Sequence, residues 1–502
     1  MSETPRHGRR ILLTADRTQL ADYRTLLDGM LSAAQTTLTP LPVVDVLFAP
    51  AMPCTAGRAV RAPMGLRRVE AALLDDGFSP DDVVVVPPEK LDRAVGPDTR
   101  IIAVSTGDPV GLGMNTSTMV ALAGGRPYTT MLFQRLAGRL RRLRARFGNI
   151  RIVVGGPGAW QLARSDADRR RLGIDHVLTG YCEAAVARTF RDILNGDAVG
   201  EVVPCVWRSG DGVPAIRGAT TMGIVEISRG CGLGCDFCTL AKLPMTHLAP
   251  AQILADVETN LRAGVRDVSL ISEDLFRYGG ETAKRTNPQR LLALLRAVRA
   301  IPAVRMIQID HANVSSVASF SDDELAETHA LLAGDFADRH VWVNLGVETV
   351  SPPLLAGGCI RAKMRPATPE SWGDVCREQV QRLSRAGFMP MVSLMTGLPG
   401  ETDVDVDATT RWVRTLRGER VVVFPMLLAP ITPGGRPRNG NDMTAACWRL
   451  FHESYRFNFK WVRRMLWSEE THAGLALPRR LVVALLGHMN TVLWKALFTL
   501  KS

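Results

Sequence analysis

The sequence lacks the segments that direct a protein to or through a membrane. Its N-terminal stretch is polar and contains no apolar core of the kind found in secretion signals. No run of about 18 uninterrupted apolar residues occurs either. The nearest candidate, 481–500, is interrupted by Gly487, His488, Asn490 and Lys495, which favours a packed amphipathic helix. We therefore expect a cytoplasmic protein with no membrane span.

Cysteines and aromatic residues are scarce, at nine cysteines and 6% aromatics in 502 residues. Few cysteines and no secretion signal indicate a reducing compartment. Six of the nine show no ligand spacing and are expected to be small buried residues: Cys54, Cys182, Cys205, Cys359, Cys376 and Cys447. The net charge is +11, but no dense basic block is interleaved with aromatics, so nucleic-acid binding is not expected.

Short apolar segments alternate with helical patterns through the first two hundred residues. Helices are predicted at Gln19–Ala34 and Thr130–Phe147. The alternation predicts an α/β domain with a doubly wound, Rossmann-like parallel sheet that binds ligands at the carboxyl ends of its strands. The predicted strands are Ile11–Thr14, Val43–Phe48, Val83–Val86, Ile101–Ser105 and Ile150–Val154.

Turn-forming residues between 195 and 222, notably Asn195–Asp197 and Ser209–Gly212, predict a linker with a small hairpin. A second alternating series follows, and the last sixty residues are expected to be helical. The predicted boundaries are 1–198, 199–222, 223–440 and 441–502. The strands of the second series are predicted at Ile224–Ile227, Val268–Ile271, Met306–Ile309, Trp342–Val347, Met391–Met395 and Val421–Leu427.

Three cysteines, Cys231, Cys235 and Cys238, follow the first strand of the second series with the spacing C-x-x-x-C-x-x-C. The short gaps allow one loop to surround an iron–sulfur cluster, and the intervening glycines permit a tight loop. Three ligands would leave one iron of a [4Fe–4S] cluster open to a substrate. A zinc site or unrelated thiols are the alternatives. Zinc would require a fourth ligand, and His247 lies outside the usual spacing.

The cysteine segment, including Phe237, resembles the signature of the radical S-adenosylmethionine (SAM) superfamily. Segments 272–276 and 346–351 resemble later motifs of the same family. The resemblance implies a partial (β/α)6 barrel that holds a [4Fe–4S] cluster and SAM at the carboxyl ends of its strands. The SAM-binding residues implied are Phe237, Glu273, Asp274, Gln308, Gly346 and Glu348.

Segments 397–402 and 429–434 resemble a branch that includes cobalamin-dependent enzymes and methylthiotransferases. Methylthiotransferases would carry three further cluster cysteines, but only Cys54 and Cys182 precede position 200. Instead, 152–157 and 173–183 resemble a cobalamin-binding domain; an unrelated flavodoxin-like or vestigial domain is the alternative. The cobalamin-binding residues implied are Ser105, Thr106, Asp108, Leu112, Gly113, Gly155, Gly156, Pro157 and Gly180.

The D-x-H-x-x-G motif that supplies a cobalt-binding histidine in other cobalamin proteins is absent. Its closest match, 338–343, lacks the glycine and falls in the second domain. The loop 107–116 is therefore the candidate to line the lower face of the cobalt, and an ordinary strand-to-helix loop is the alternative reading.

The combined resemblance implies a radical SAM C-methyltransferase that uses cobalamin and modifies an unactivated carbon of a small-molecule or peptide intermediate of secondary metabolism. An external one-electron reductant, such as flavodoxin or ferredoxin, is expected as a partner. Three alternatives remain: a cobalamin enzyme that rearranges or cyclises without methylating, a radical SAM enzyme without cobalamin, and an electron-transfer or metal-binding module. The aromatic residues between 448 and 467 are expected to pack a helical cap, with a substrate lid as the alternative.

Overall fold

A computed structural model describes residues 8–206, 212–282, 285–429 and 438–501. The chain divides into two compact units. Unit 1 comprises residues up to 225 together with 251–265, and unit 2 comprises 226–250 and the residues from 266 onward. The predicted domain boundaries stay a prediction. The turn of the predicted hairpin, 207–211, and most of the motif 429–434 lie outside the described residues.

A six-stranded parallel sheet with the order β4-β1-β5-β6-β7-β8 forms the centre of unit 1. A short antiparallel hairpin, β2–β3, lies outside it. The strands are β1 Ile11–Ala15, β2 Cys54–Thr55, β3 Arg58–Ala59, β4 Val83–Val85, β5 Ile101–Ser105, β6 Arg151–Gly155, β7 His176–Thr179 and β8 Val202–Pro204.

Helices cover both faces of this sheet, as expected for a doubly wound fold. The helices of unit 1 are α1 Leu26–Ala33, α2 Leu41–Val43, α3 Met64–Asp75, α4 Leu91–Ala94, α5 Met114–Ala123, α6 Tyr128–Phe147, α7 Ala159–Ala163, α8 Asp166–Leu172, α9 Glu183–Asn195 and α10 Pro250–Arg262. Alternate residues of the strands face two separate cores. Leu12 and Ile102 pack with α6 on one face, whereas Ile11 and Ile101 pack with α3 and α9 on the other.

Helix α10 belongs to unit 1 because its polar side chains are bonded there. The Asp256 carboxylate lies 2.6 Å from the Arg68 guanidinium, with both side chains almost fully buried, and it also accepts a hydrogen bond from the Ile216 amide. Asn260 accepts hydrogen bonds from the amide and hydroxyl of Thr220. These buried contacts join the segment before the second series of strands to the first domain.

Unit 2 is the predicted partial (β/α)6 barrel. Its barrel strands form two sheets, β13-β12-β9 and β14-β15-β16-β17, in which β12 and β13 and the neighbours from β14 to β17 pair in parallel. Strands β10 and β11 form a separate antiparallel pair. The two sheets are joined at β13 and β14, which only Asp310 separates in the chain. The barrel strands therefore stand in the order β9, β12, β13, β14, β15, β16 and β17. The strands are β9 Ile224–Glu226, within which the two units divide, β10 Ser228–Arg229, β11 Thr246–His247, β12 Asp267–Ile271, β13 Met306–Ile309, β14 His311–Asn313, β15 Trp342–Glu348, β16 Met389–Thr396 and β17 Val422–Leu427.

Two long helices end the chain, as predicted, and the first is bonded to the barrel. The helices of unit 2 are α11 Pro288–Arg299, α12 Val314–Ala318, α13 Asp322–Ala333, α14 Pro352–Ala356, α15 Arg361–Met364, α16 Trp372–Arg385, α17 Asp403–Thr415, α18 Ala445–His472 and α19 Leu477–Lys501. Asn458 of α18 pairs with both the amide and the carbonyl of Val423 on strand β17. Glu469 forms a buried ion pair with Arg339.

Two predictions for unit 1 were wrong. Residues 43–48 are helical, because Pro40 and Pro42 stand at the start of a helical turn that continues as a π-helical segment, Val44–Phe48. The helix predicted at Gln19–Ala34 begins only at Leu26. There the Thr25 hydroxyl and the Asp28 carboxylate form a reciprocal capping box that fixes the helix start.

Candidate functional site

The three cysteines lie on one loop that its own backbone holds in shape. The amide of Cys231 donates to the Leu243 carbonyl at 3.0 Å, and the amide of Cys238 donates to the Cys235 carbonyl at 3.2 Å. The glycines at 230, 232 and 234 have φ of 70°, 69° and 66°, a region that L-residues rarely adopt. All three thiols are free. The loop therefore needs its glycines for its path and leaves its sulfurs available as ligands.

Burial keeps two of these thiols in the neutral form when no metal is bound. It raises the pKa of Cys235 to about 12, and it also raises the pKa of Cys238. Thiolate is the form that binds metal, so a cation must supply the energy of deprotonation. Within the described residues, no three His, Cys, Asp or Glu side chains converge on a single-ion site. The donor set fits the three-cysteine iron–sulfur cluster implied by the sequence.

A buried arginine beside Cys231 was missed by the sequence reasoning. Arg277 Nη1 donates to the Cys231 carbonyl at 2.8 Å, and Nη2 lies 3.2 Å from Cys231 Sγ. Its Nε donates at 2.8 Å to Asp274, whose carboxylate is fully buried. The arrangement places a fixed positive charge against one cluster ligand, where it stabilises the thiolate.

Asp274 is occupied by protein groups. Besides Arg277, its carboxylate accepts hydrogen bonds from Asn313 Nδ2 at 3.0 Å and from the Ser316 hydroxyl at 2.5 Å. The structure thus makes Asp274 the anchor of the arginine that contacts Cys231. Its assignment as a SAM ligand stays a prediction.

Glu273 lies after β12 near two residues that follow β13, Asp310 and His311. His311 Nδ1 is 3.1 Å from Asp310 Oδ2. The neighbouring carboxylates of Asp310 and Glu273 favour the protonated imidazole and raise the pKa of His311 to about 9. Burial raises the pKa of Glu273. These carboxyl ends therefore carry an acid–base group that the sequence reasoning did not identify.

Glu348, the predicted ribose-side residue, has an unusual backbone and a buried partner. Its φ is +67°, and the register between β15 and β16 shifts between Gly346 and Glu348. Its carboxylate pairs with the ammonium of Lys363, and both side chains are more than nine-tenths buried. A Cβ on Gly346 would collide with that ammonium, so the glycine makes room for it. Such strain is typical of functional sites.

The remaining SAM-site predictions fall on the same unit. Gln308 is fully buried on β13 and donates to the Ser269 hydroxyl on β12 at 3.2 Å. Phe237 is partly buried next to Cys238. Cys359, expected to be an unrelated thiol, comes beside the cysteine loop, where its carbonyl accepts from the Asp236 amide at 3.2 Å. No spacing in the sequence indicated that approach.

In unit 1, the loops after β5 and β6 meet at the carboxyl edge of the sheet. The Thr106 amide donates to the Gly155 carbonyl, and the Gly158 amide donates to the Thr106 carbonyl. A Cβ on Gly156 would lie 2.7 Å from Ser105 Oγ, so this glycine is required for the close approach. The fully buried Thr106 hydroxyl has no hydrogen-bond partner among the described residues. This edge thus offers one unsatisfied polar group, which fits a ligand that accepts or donates there.

The loop 107–116 is held together by Asp108. One carboxylate oxygen accepts from the amides of Leu112 and Gly113 and from Gln161 Nε2 at 2.7 Å, and the other accepts from the Thr116 hydroxyl. The side chain is buried, and its acceptor positions are used within unit 1. Asp108 therefore shapes the loop, and its predicted contact with cobalamin stays a prediction.

The other predicted cobalamin residues lie at the same edge. Gly155 ends β6 and is followed by Gly156 and Pro157. Gly180 follows β7 with a φ of +87°, and a Cβ there would lie 3.1 Å from the Cys205 carbonyl. The predicted residues therefore follow the carboxyl ends of the neighbouring parallel strands β5, β6 and β7. This is the edge at which sheets of this kind bind ligands.

Comparison with known families assigns the second unit. Residues 225–413 match the radical SAM superfamily. The match covers the cysteine loop and the strands through β16, so this part of the chain is a radical SAM domain, a domain that uses SAM and a [4Fe–4S] cluster.

Curated relatives cover about half of the chain. A tRNA-2-methylthio-N(6)-dimethylallyladenosine synthase from Clavibacter michiganensis is 25% identical over 59% of this chain and 53% of its own length. The ribosomal protein uS12 methylthiotransferase RimO from Sorangium cellulosum is 31% identical over 55% of this chain and 54% of its own. The chain spans about half the length of these relatives.

Two solved structures share the fold. The radical SAM methyltransferase TsrM from Kitasatospora setae, with tryptophan and a SAM analogue bound, has a TM-score of 0.55 and 17% identity over 84% of this chain and 75% of that chain. TsrM with cobalamin and a [4Fe–4S] cluster has a TM-score of 0.54 and 18% identity over 85% and 77%. At this identity the likeness establishes the fold.

Proposed function

We propose that this protein is a cobalamin-dependent radical SAM C-methyltransferase that modifies an unactivated carbon of a small-molecule or peptide natural product. The observation that carries the proposal is the unsatisfied Thr106 hydroxyl beside the Gly156 cradle, on a doubly wound sheet attached to a radical SAM domain. The fold shared with TsrM, a methyltransferase solved with cobalamin, supports it.

A methylthiotransferase is the competing function, because the curated relatives carry that activity. Such an enzyme would need a second cluster site in its first domain. The described part of unit 1 contains Cys54, Cys182 and Cys205, and these lie on three separate elements: on β2, before α9 and after β8. The donor set of unit 1 fits cobalamin better than a second cluster.

In this proposal, Cys231, Cys235 and Cys238 hold the cluster, and Ser105, Thr106 and Gly156 border the cobalamin. The cluster and SAM together supply a radical that takes hydrogen from carbon, and cobalamin supplies a transferable methyl group. We further propose that the enzyme works in the cytoplasm with an external one-electron reductant.

The chain's own residues provide charge and position. Arg277 stabilises the thiolate of Cys231, since its guanidinium lies against the sulfur and is fixed by Asp274. Lys363 carries a positive charge beside Glu348, where it neutralises a buried carboxylate. His311 holds a proton at the nitrogen facing Asp310 and can exchange it with a group at the strand ends.

The test does not require the substrate. Protein reconstituted with iron, sulfide and hydroxocobalamin, and then reduced with titanium(III) citrate, should convert methyl-labelled SAM to S-adenosylhomocysteine and transfer the label to the cobalamin fraction. The variant with all three cluster cysteines changed to alanine should still retain cobalamin, which is the separate readout for unit 1. Formation of 5′-deoxyadenosine alone, with no S-adenosylhomocysteine and no labelled product, would contradict methyl transfer. When a substrate is supplied, a product without an added CH2 group would indicate a rearrangement or cyclisation instead of methylation.

A further inference from the structure

The last helix, α19, exposes an apolar stripe on the side that faces away from α18. Leu485 is 61% exposed, Val492 55% and Leu493 67%. The stripe comprises Leu481, Val482, Leu485, Met489, Val492, Leu493, Ala496 and Leu500, at the three- and four-residue spacing of one helix face. A continuous exposed apolar face of this length on a folded protein marks an interaction surface.

The opposite side of α19 explains why the stripe stays outside. Trp494 and Phe498 pack against Tyr455 of α18, with ring centroids 5.3 and 4.8 Å away. Phe498 is 1% exposed. The helix is therefore docked through its aromatic side, and its second apolar side is left over. By length and composition, Leu477–Leu500 could also cross a membrane. Only 11% of its most apolar window is buried within the protein, so packing against the rest of the chain does not account for its composition.

Cations border the stripe. Residues 477–501 contain no aspartate or glutamate, and they include Lys495, 5.6 Å from the centre of the Phe459 ring. On α18, Lys460 and Arg464 lie over Trp461, and Arg463 Nη1 is 2.9 Å from His488 Nδ1 of α19. Arg463 of α18 thus contacts α19 at His488, and Lys495 lies on α19 itself.

We propose that the α18–α19 hairpin docks this stripe on an anionic lipid surface. Apolar side chains would enter the boundary between headgroups and acyl chains while the neighbouring cations meet anionic headgroups. Charge complementarity favours this occupant over a second copy of the chain, which would bring an identical set of cations to the contact. Because α19 is bonded to α18 along one side, the helix lies on the surface and does not span it.

The experiment is vesicle co-sedimentation of the full-length protein. Wild type should bind vesicles of mixed phosphatidylcholine and phosphatidylglycerol, and it should not bind phosphatidylcholine alone. The combined change Leu485→Glu and Val492→Glu should weaken binding about a hundred-fold, because two apolar side chains that would enter the lipid are replaced by charged ones. Lys460→Ala and Lys495→Ala should each weaken vesicle binding about five-fold. Added salt should also weaken binding, because it screens the attraction between these cations and the anionic headgroups.

The matched control is Val46→Glu with Val404→Glu, two valines that are 67% and 73% exposed elsewhere in the chain and should leave binding unchanged. All substituted residues are exposed, so equal melting temperatures are expected. Absence of wild-type binding to the mixed vesicles, or binding of the Leu485→Glu, Val492→Glu variant equal to wild type, would overturn the proposal. So would a lipid-free dimer that this variant dissociates, because the stripe would then be covered by a second copy.

Discussion

The carboxyl ends of the strands in the two units are built from different chemistry. In unit 1, the one buried carboxylate of the β5 loop, Asp108, bonds its own loop, and what remains is a neutral hydroxyl, Thr106, beside glycine. In unit 2, the strand ends carry paired charges, including Arg277 with Asp274 and Lys363 with Glu348. The first edge suits a large ligand held by shape, and the second suits a charged cluster and a sulfonium.

Removing the cluster ligands is expected to have the largest effect. Cys231→Ala, Cys235→Ala or Cys238→Ala should abolish SAM cleavage to 5′-deoxyadenosine and the visible absorption of the cluster, because each removes one of three ligands. Cys54→Ala, on the hairpin of unit 1, should retain both. Loss of cluster absorption in the Cys54 variant would mean that unit 1 contributes to cluster binding, which would erase the distinction between the two edges.

Breaking one buried ion pair in each unit tests which pair serves the site. Arg68→Met and Arg277→Met should each lower the free energy of unfolding by about 3–5 kcal/mol, because each strands a buried carboxylate. Denaturant titration measures this loss. Only Arg277→Met should also lower iron content at a temperature where both variants are folded. Equal iron loss in both would indicate general instability.

The neutral edge of unit 1 predicts an unusual threonine. Thr106→Val should be neutral or stabilising by up to about 1 kcal/mol, since the hydroxyl has no protein partner, yet it should weaken cobalamin retention during gel filtration. The matched variant Thr14→Val should cost about 1–2 kcal/mol, because that hydroxyl donates to the Val86 carbonyl at 2.8 Å. Retention of cobalamin equal to wild type in the Thr106 variant would remove the residue from the site.

The charged edge of unit 2 predicts a small pH effect. The pKa of His311 is raised from 6.5 to about 9, so protonation stabilises the folded state. This contribution is complete below about pH 6.5 and is lost as the pH rises through 9. The melting temperature of wild type relative to His311→Gln should therefore fall over that window. A difference that stays constant with pH would show that Asp310 does not stabilise the protonated imidazole of His311.

The alternation of apolar and polar residues in the sequence made the fold predictable, including six of the nine strands given for unit 2; the two- and three-residue strands β10, β11 and β14 were not predicted. The exceptions have local causes. Residues 43–48 show an apolar pattern that fits a strand, but two prolines begin a helical turn there. Strands β7 and β8 were not predicted because their apolar signal is weak: β7 has only two buried residues, and β8 is a partly exposed edge strand that ends in proline.

The sites were predictable only as far as motifs reached. Spacing identified the cysteine loop, and the resemblance to the radical SAM motifs implied Glu273 and Glu348, whose contacts with SAM stay a prediction. Arg277 and Lys363 were missed, because no periodicity distinguishes a buried cation from the many exposed ones in a chain with 61 lysines and arginines. The hydrogen bonds of Asp108 within its own loop could not be predicted either. The sequence does not distinguish a loop aspartate that bonds its own loop from one that contacts a ligand.

Metal stoichiometry tests the central claim most directly. Protein reconstituted with iron, sulfide and hydroxocobalamin should contain about four irons and about one cobalt per chain. The variant with Cys231, Cys235 and Cys238 all changed to alanine should lose the iron and keep the cobalt, because the two groups are held by different units. Wild type without cobalt, or a triple variant that loses cobalt together with iron, would contradict the account.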